Sequence, residues 1–291
     1  MNNNLANRLF YKGVYGVAIR EKGSEVFSTQ YPTNRYAYAD PFVYEYEGKP
    51  CLFVELFDYH RVWGSIAVSE IKDGKLGNFR MIIAEPNHMS FPNVFEYKGA
   101  LYMLPETYQT NEVHLYQCVE YPYKWEKRSN VVCNAKLVDH AILMRNDTSY
   151  YMVSYDLEQK RNRYFILDME KYDATEITLS GNHCMERPGG TFFMRNGKYY
   201  HAIQDCKECY GDYLHFYEVD QFDDNCFNEH EVSVTKINDV HFDKDKGLQH
   251  IHTYSQSEHY EAVDFQYNRF YWNKFVHLFV SKLIFRNRHP Y

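Results

Sequence analysis

Asp40-Pro41-Phe42-Val43-Tyr44-Glu45-Tyr46-Glu47-Gly48-Lys49-Pro50-Cys51-Leu52-Phe53-Val54-Glu55 decides the fold. It overlays without a gap on Phe91-Pro92-Asn93-Val94-Phe95-Glu96-Tyr97-Lys98-Gly99-Ala100-Leu101-Tyr102-Met103-Leu104-Pro105-Glu106. The Pro, the Tyr before the turn, the Gly and the closing Glu all recur at one offset. In both stretches two short, aromatic-rich apolar runs flank a Gly turn, which is the pattern of a β-hairpin. A third copy begins at Asp139 and turns at Asn146-Asp147. A fourth begins at Pro188-Gly189-Gly190 and turns at Asn196-Gly197, and a weaker fifth follows His250-Ile251-His252 with a polar turn near Ser257-Glu258. Copy starts lie roughly 50 to 60 residues apart, the size of a four-stranded propeller blade. Strand-like pieces between the copies, Gly64–Glu70 and Val113–Cys118, would complete blades outward. A β-sandwich uses similar hairpins, but its strands recur every 8–12 residues or so without this long period. The expectation is an all-β, five-bladed β-propeller over residues 1–268, with blade cores near 40–55, 91–106, 139–154, 188–204 and 250–265. A short basic aromatic tail, 269–291, follows it.

Composition agrees with that class. Of 291 residues, 45% are hydrophobic and 18% aromatic, including 29 Tyr and 20 Phe, side chains that favour strands and stack on sugar rings. The formal charge of −7 removes the attraction that drives non-specific nucleic-acid binding, so no nucleic-acid partner is expected. The start Met1-Asn2-Asn3-Asn4-Leu5 lacks the charged, apolar and small-residue regions of a secretory signal. Seven scattered Cys read as reduced thiols, which places the chain in the cytoplasm. Cys206 and Cys209 form the one close pair. Zinc takes four ligands and no second pair stands at metal spacing, so neither metal nor cofactor is expected.

In a propeller the first strand of each blade lines the central channel, and the first residues of the copies converge on one axial pocket. Those positions carry Asp40, Ser90, Asp139, Glu186 and His250. Three carboxylates in one small pocket raise one another's pKa. Chemistry at a glycosidic bond needs that arrangement, with one carboxylate ionised and another holding its proton. Acids that merely cap turns in a solvated channel are the plainer reading. Glu55, Glu106, Gln204 and Asp205, near the ends of the second strands, form a polar rim that either faces the pocket or is simply solvated. His88, and His250 with His252 on one strand face, can donate hydrogen bonds to hydroxyls or phosphate. As a metal pair the last two lack a third ligand. Arg187, ahead of Pro188-Gly189-Gly190, can clamp phosphate or carboxylate, or pair with a neighbour such as Glu186.

The tail has no acidic residue. Arg269, Lys274, Lys282, Arg286 and Arg288 alternate with apolar residues, and Trp272, Phe275, Val276, Phe279 and Leu283 share one face of a helical wheel. A basic amphipathic helix of this kind suits peripheral membrane contact through 270–291, at the inner face of the membrane; packing on the propeller and a dimer contact are the alternatives.

The run of motifs Ala39-Asp40-Pro41-Phe42, Phe53-Val54-Glu55, His88-Met89-Ser90-Phe91-Pro92, Tyr102-Met103-Leu104-Pro105-Glu106, Val138-Asp139, Arg187-Pro188-Gly189-Gly190, Gln204-Asp205-Cys206 with Tyr210-Gly211, and Gln249-His250 carries a resemblance. It resembles the five-bladed propeller at the N-terminus of glucosamine inositolphosphorylceramide transferases, over roughly residues 10 to 265. More distantly the chain is similar to family 43 glycoside hydrolases and the wider furanosidase propeller group. The glycosidase resemblance implies Asp40 as base, Asp139 as the Asp that orients and tunes the acid, Glu186 as general acid and His250 as the axial His of the fifth blade. Two positions depart from the transferase-like pattern: Glu186 stands where a small residue is usual, and His140 where Thr is.

Together these readings make a carbohydrate-active enzyme the expectation. It would be a glycosyltransferase moving a sugar, with a furanose among the options, from a nucleotide- or phosphate-activated donor to a surface-glycan or lipid-linked acceptor. Asp40, Asp139 and Glu186 would be catalytic. Glu55, His88, Ser90, Glu106, Arg187, Gln204, Asp205, His250 and His252 would bind substrate. An inverting glycoside hydrolase and a non-catalytic carbohydrate-binding propeller are the alternatives.

Overall fold

The computed structural model describes residues 11–207 and 209–270. Its strands form five sheets, antiparallel except where Val26 and Phe27 pair in parallel with His241 and Phe242, arranged as the blades of a ring. The first blade runs outward through Tyr36–Tyr46, Lys49–Asp58 and Trp63–Lys72, with Lys75–Leu76 and Arg80–Ile83 outermost. The second comprises Ser90–Tyr97, Ala100–Glu106, Glu112–Glu120 and Lys124–Cys133, and the third Leu137–Asn146, Ser149–Asp156, Arg161–Asp168 and Asp173–Ile177. The fourth comprises Phe193–Arg195, Lys198–Gln204, Leu214–Phe222 and Phe227–Thr235. All five expected hairpins are present. Glu47 and Gly48, Lys98 and Gly99, and Asn196 and Gly197 all have positive φ. Two consecutive left-handed residues define the turn whose twist matches the flanking strands.

The fifth blade is composite. Leu248–His250 and Tyr254–Gln256 lie inside, Tyr260–Phe270 comes second, and the N-terminal strands Tyr11–Glu21 and Val26–Gln30 supply the outer positions. Tyr11–Glu21 pairs with Tyr260–Phe270 along its whole length, from Tyr11↔Phe270 to Glu21↔Tyr260. The two ends of the described chain therefore fasten the ring in one sheet. The strand reaches Phe270, so Arg269 and Phe270 belong to the fifth blade; the helical reading of the tail falls on residues outside those described.

Alternation along each strand turns its apolar residues to both faces, and each face packs on a neighbouring blade. The buried clusters accordingly lie between blades. Phe53, Ile66 and Met89 meet Phe91 and Met103 between the first and second, and Leu104 and Leu115 meet Leu137 and Met152 between the second and third. Phe227 packs with Val153 and Tyr164 between the third and fourth. Phe265 and Val263 pack on Ala202 and Leu214, while Val17 and Ile19 pack on Leu52 and Val54, which completes the circle. Each Val, Leu, Ile, Phe or Met among them contributes about 1.5–3 kcal/mol on burial.

Near the axis, hydrogen bonds tie neighbouring inner strands. Asn93 Nδ2 donates to the His140 carbonyl at 2.6 Å, and Thr191 Oγ1 to the Ile142 carbonyl at 3.1 Å. Tyr254 N–H donates to Gly189 O at 2.8 Å, and Ser255 Oγ to Pro41 O at 2.7 Å. Gly190 permits the closest of these approaches. A Cβ there would stand 2.1 Å from the Tyr254 carbonyl oxygen. The small residues after Arg187 thus admit a strand.

Candidate active site

The inner strands do not run straight through the axis. Register breaks fall between Ala39 and Phe42, Ser90 and Asn93, and Val138 and Ala141. The first inserted residue at each break, Asp40, Phe91 or Asp139, has a left-handed φ of 48°, 48° or 53°. A bulge of this type re-aims the side chain it carries. The structure therefore corrects one expected position. Phe91, and not Ser90, is the second-blade counterpart of Asp40; Ser90 pairs with Glu106 as Ala39 does with Glu55.

Asp40 is the centre of a buried network. Its Oδ2 accepts the Phe91 N–H at 3.1 Å and its Oδ1 accepts Thr253 Oγ1–H at 3.1 Å. His252 Nε2 lies 3.3 Å from Asp40 Oδ1, and His252 Nδ1 lies 2.7 Å from Asp264 Oδ2. Asp264 also accepts the backbone N–H groups of His252 and Thr253, both at 3.0 Å. One imidazole thus stands between two carboxylates, with the Tyr15 and Tyr210 rings against it at centroid distances of 4.8 and 5.3 Å. Asp139, from the third blade, receives Arg187 Nε at 2.5 Å. The Arg187 guanidinium lies over the Tyr210 ring at 5.0 Å and the Tyr155 ring at 5.9 Å.

Environment drives these groups apart in protonation. Burial raises the Asp40 carboxyl, but the His252 imidazolium, the Phe91 N–H and the Thr253 hydroxyl outweigh that and hold it below the usual Asp range. Burial alone would strip His252 of its proton, yet the Asp264 charge lifts it well above the ordinary His value. Glu106 is only 6% exposed; burial and the Asp139 charge push it up to about 8. Burial, with Asp40 and Glu106 nearby, also raises Glu55 well above its normal range. Burial lifts Asp139 too, and Arg187 opposes that lift. The cluster therefore favours an ionised Asp40 and a protonated His252 beside Glu55 and Glu106 carboxyls that hold their protons more tightly than usual.

The other expected residues divide. His88 belongs at the rim of the cluster: its Nδ1 accepts the Gly64 N–H at 2.9 Å, which leaves Nε2 facing Glu55 at 3.6 Å. Gln204 is buried and donates to the Pro188 carbonyl at 2.7 Å. Asp205 shapes its own loop, accepting the Lys207 N–H at 3.0 Å and contacting His215 at 3.2 Å. Glu186 is exposed, and its carbonyl accepts the Asn162 amide at 2.9 Å. His250 does not join His252: its Nδ1 faces Asp212 at 2.8 Å on the rim. Asp264, Thr253, Tyr15 and Tyr155 were not singled out from sequence. Asp264 lies in the middle of Tyr260–Phe270, the second strand of its blade, where its backbone N–H donates to the Thr253 carbonyl at the break in the inner strand; the weakness of the fifth copy obscures it in sequence.

Asp40, His252 and Asp264 have ligand atoms within 4.8 Å of one another, close enough for a cation; a protonated His252, which the Asp264 charge favours, would fill the same electrostatic role. A separate crevice of about 460 Å³ opens between the fourth and fifth blades. Three of its charged groups pair with one another, Arg20 with Glu261 at 2.6 Å and Arg195 with Glu261 at 3.4 Å.

This geometry can be set beside known proteins. Structures of similar architecture include an α-L-arabinofuranosidase from Podospora anserina in complex with cellotriose, with a TM-score of 0.60, 10% identity, and coverage of 87% of this chain and 97% of that one. A family 43 β-xylosidase/α-arabinofuranosidase from a compost microbial metagenome gives a TM-score of 0.57 at 12% identity, covering 86% and 94%. These likenesses show the five-bladed fold. In sequence the chain is 28% identical over 207 residues to glucosamine inositolphosphorylceramide transferase 1 of Arabidopsis thaliana, covering 67% of this chain and 27% of the relative. It is 27% identical over 217 residues to the protein of that name in Oryza sativa subsp. indica, covering 70% and 29%. The chain thus spans less than a third of the length of these relatives. The family profile described as glucosamine inositolphosphorylceramide transferase 1, N-terminal, matches residues 22–260, nearly all of the ring, and the chain belongs to that family.

Proposed function

We propose that this propeller is a carbohydrate-active enzyme module that moves a sugar from an activated, phosphate-linked donor onto a glycan or lipid-linked acceptor. One arrangement carries the reading: in a single buried cluster the Phe91 N–H, the Thr253 hydroxyl and His252 surround Asp40 and hold its carboxyl below the usual range, while burial beside Asp139 pushes Glu106 up to about 8. Such opposed states are what proton transfer at an acetal carbon uses. Asp40 takes the proton of the acceptor hydroxyl as its oxygen bonds to the anomeric carbon. The bond from that carbon to the leaving oxygen breaks, and Glu106 gives its proton to the departing group. Arg187 and His252 supply positive charge toward a phosphate, and Asp139 fixes Arg187. Tyr155 and Tyr210 offer faces for sugar rings. In this reading Glu106 takes the acid role that resemblance gives to the exposed Glu186. The relatives' name joins a glucosamine group to an inositolphosphorylceramide; for this chain we take only the broader class. The basic aromatic stretch 270–291 supports a lipid-linked acceptor at a membrane surface.

The test begins with a panel of nucleotide sugars, since a true donor raises the unfolding temperature. The stabilising donor is then incubated with glycan and lipid acceptors and products are read by mass spectrometry. Transfer is expected, falling by about 10²–10⁴-fold in Asp40→Asn while the folded state persists. Release of free sugar without acceptor, lost in the same variant, would make the enzyme a hydrolase. Donor binding without turnover would make it a binding propeller, and unchanged turnover in Asp40→Asn would remove the catalytic reading.

A further inference from the structure

Cys209, Asp212 and His250 come together from two separate segments. Cys209 and Asp212 belong to a loop closed at its base by backbone bonds, Asp212 N–H to Asp205 O at 2.9 Å and Asp205 N–H to Tyr213 O at 2.9 Å. His250 ends the inner strand Leu248–His250 of the fifth blade. His250 Nδ1 lies 2.8 Å from Asp212 Oδ1 and 3.8 Å from Cys209 Sγ. One ligand atom from each of the three residues falls within 4.8 Å of the others, and all three residues are partly exposed.

A single ring nitrogen facing a carboxylate and a thiol from the same side can donate one proton to one of them. A divalent cation in the space between would use all three groups. In tetrahedral zinc geometry a thiolate sulfur and an imidazole nitrogen stand about 3.6 Å apart, and an imidazole nitrogen and a carboxylate oxygen about 3.4 Å. The sulfur–nitrogen distance found here, 3.8 Å, already lies near the first value, and the nitrogen–oxygen distance of 2.8 Å would open toward the second as the Asp212 side chain turns from a hydrogen bond to a metal ligand.

We infer that Cys209, Asp212 and His250 bind a zinc-class divalent cation, with solvent completing the fourth position. The thiol proton leaves to solvent on binding. The cation would clip the loop to the fifth blade, and that loop carries Tyr210, the ring set against both Arg187 and His252. Gly211 already brings the loop hard against the blade: a Cβ there would fall 2.4 Å from His252 Cβ. The site is a tether beside the carboxylate cluster, and it stands or falls independently of the transfer reaction.

The test uses the full chain, stripped with a chelator and dialysed against buffered zinc or cobalt. About one equivalent of zinc per chain is expected, with a rise in unfolding temperature. The cobalt form should show a thiolate-to-metal charge-transfer band that survives Cys206→Ser and disappears in Cys209→Ser and His250→Ala. Metal content below about 0.1 equivalent, or a band that persists in Cys209→Ser, overturns the proposal. If Cys209→Ser does not fold, alkylation of the wild-type chain with and without zinc decides instead. Zinc must shield the Cys209 peptide; an unshielded Cys209 overturns the assignment.

Discussion

Glu106 makes the protonation of the cluster measurable. A carboxyl whose folded-state pKa stands above its unfolded value binds its proton more tightly when folded. Its contribution to stability is complete below the unfolded value, about 4.3, and is lost as pH rises through about 8. His252 acts in the same direction: its raised pKa gives stability that is full below about 6.5 and lost as pH climbs through the folded value. Urea midpoints of the wild type should therefore fall between about pH 5 and pH 8, with Glu106 contributing up to about 1.4 kcal/mol per pH unit. Glu106→Gln should flatten that slope. Turnover should show an alkaline limb near 8 from loss of the Glu106 proton, absent from the residual activity of Glu106→Gln.

At the scale of the strand, the bulges do what a regular ladder cannot. Side chains on a strand alternate between faces, and here both faces are occupied by neighbouring blades. An inserted left-handed residue aims a third direction, toward the axis, which is how Asp40 and Asp139 leave the apolar alternation around them. The approach of the fourth and fifth inner strands rests on Gly190, with φ of 149° and no room for a methyl group. Gly190→Ala should lower stability by on the order of 2–3 kcal/mol, read as a shift in urea midpoint. Gly197→Ala is the control. Its turn position is equally left-handed but open, with nothing within 4 Å, so the cost should be only about 1 kcal/mol.

The ring as a whole depends on its composite blade. Tyr11–Glu21 is the one strand joining the beginning of the described chain to its end, and Val17 and Ile19 on it seal the gap to the first blade. Deleting residues 1–21 should leave an open chain that no longer unfolds in a single transition and elutes as aggregates on gel filtration. Phe265→Ala, fully buried between the fourth and fifth blades, should cost about 3–5 kcal/mol while retaining the ring. The basic aromatic stretch is tested by removing residues 271–291, a deletion that keeps Tyr260–Phe270 whole. If the basic aromatic stretch meets lipid, the same deletion should abolish sedimentation with anionic vesicles, and undiminished sedimentation would end the membrane reading.

What the sequence by itself determined is periodic. Hairpins separated by a blade's length, turns at Gly48, Gly99 and Gly197, and apolar alternation are local, so the five-fold repeat is legible without coordinates. Asp40, Asp139, Glu55 and Glu106 could be singled out because the repeat puts them at fixed offsets. Tertiary structure alone decided which groups touch. The bulge gives Phe91, which the hairpin overlay sets opposite Asp40, the same left-handed backbone as Asp40, and leaves Ser90 paired with Glu106. His252 rather than His250 meets Asp40 because the inner strand is interrupted between Leu248–His250 and Tyr254–Gln256. Closure of the ring places Asp264, far along the chain from Asp40, within 3.3 Å of its backbone N–H. Protonation states were likewise beyond the sequence, because burial and neighbouring charge belong to the assembled ring and to no single blade.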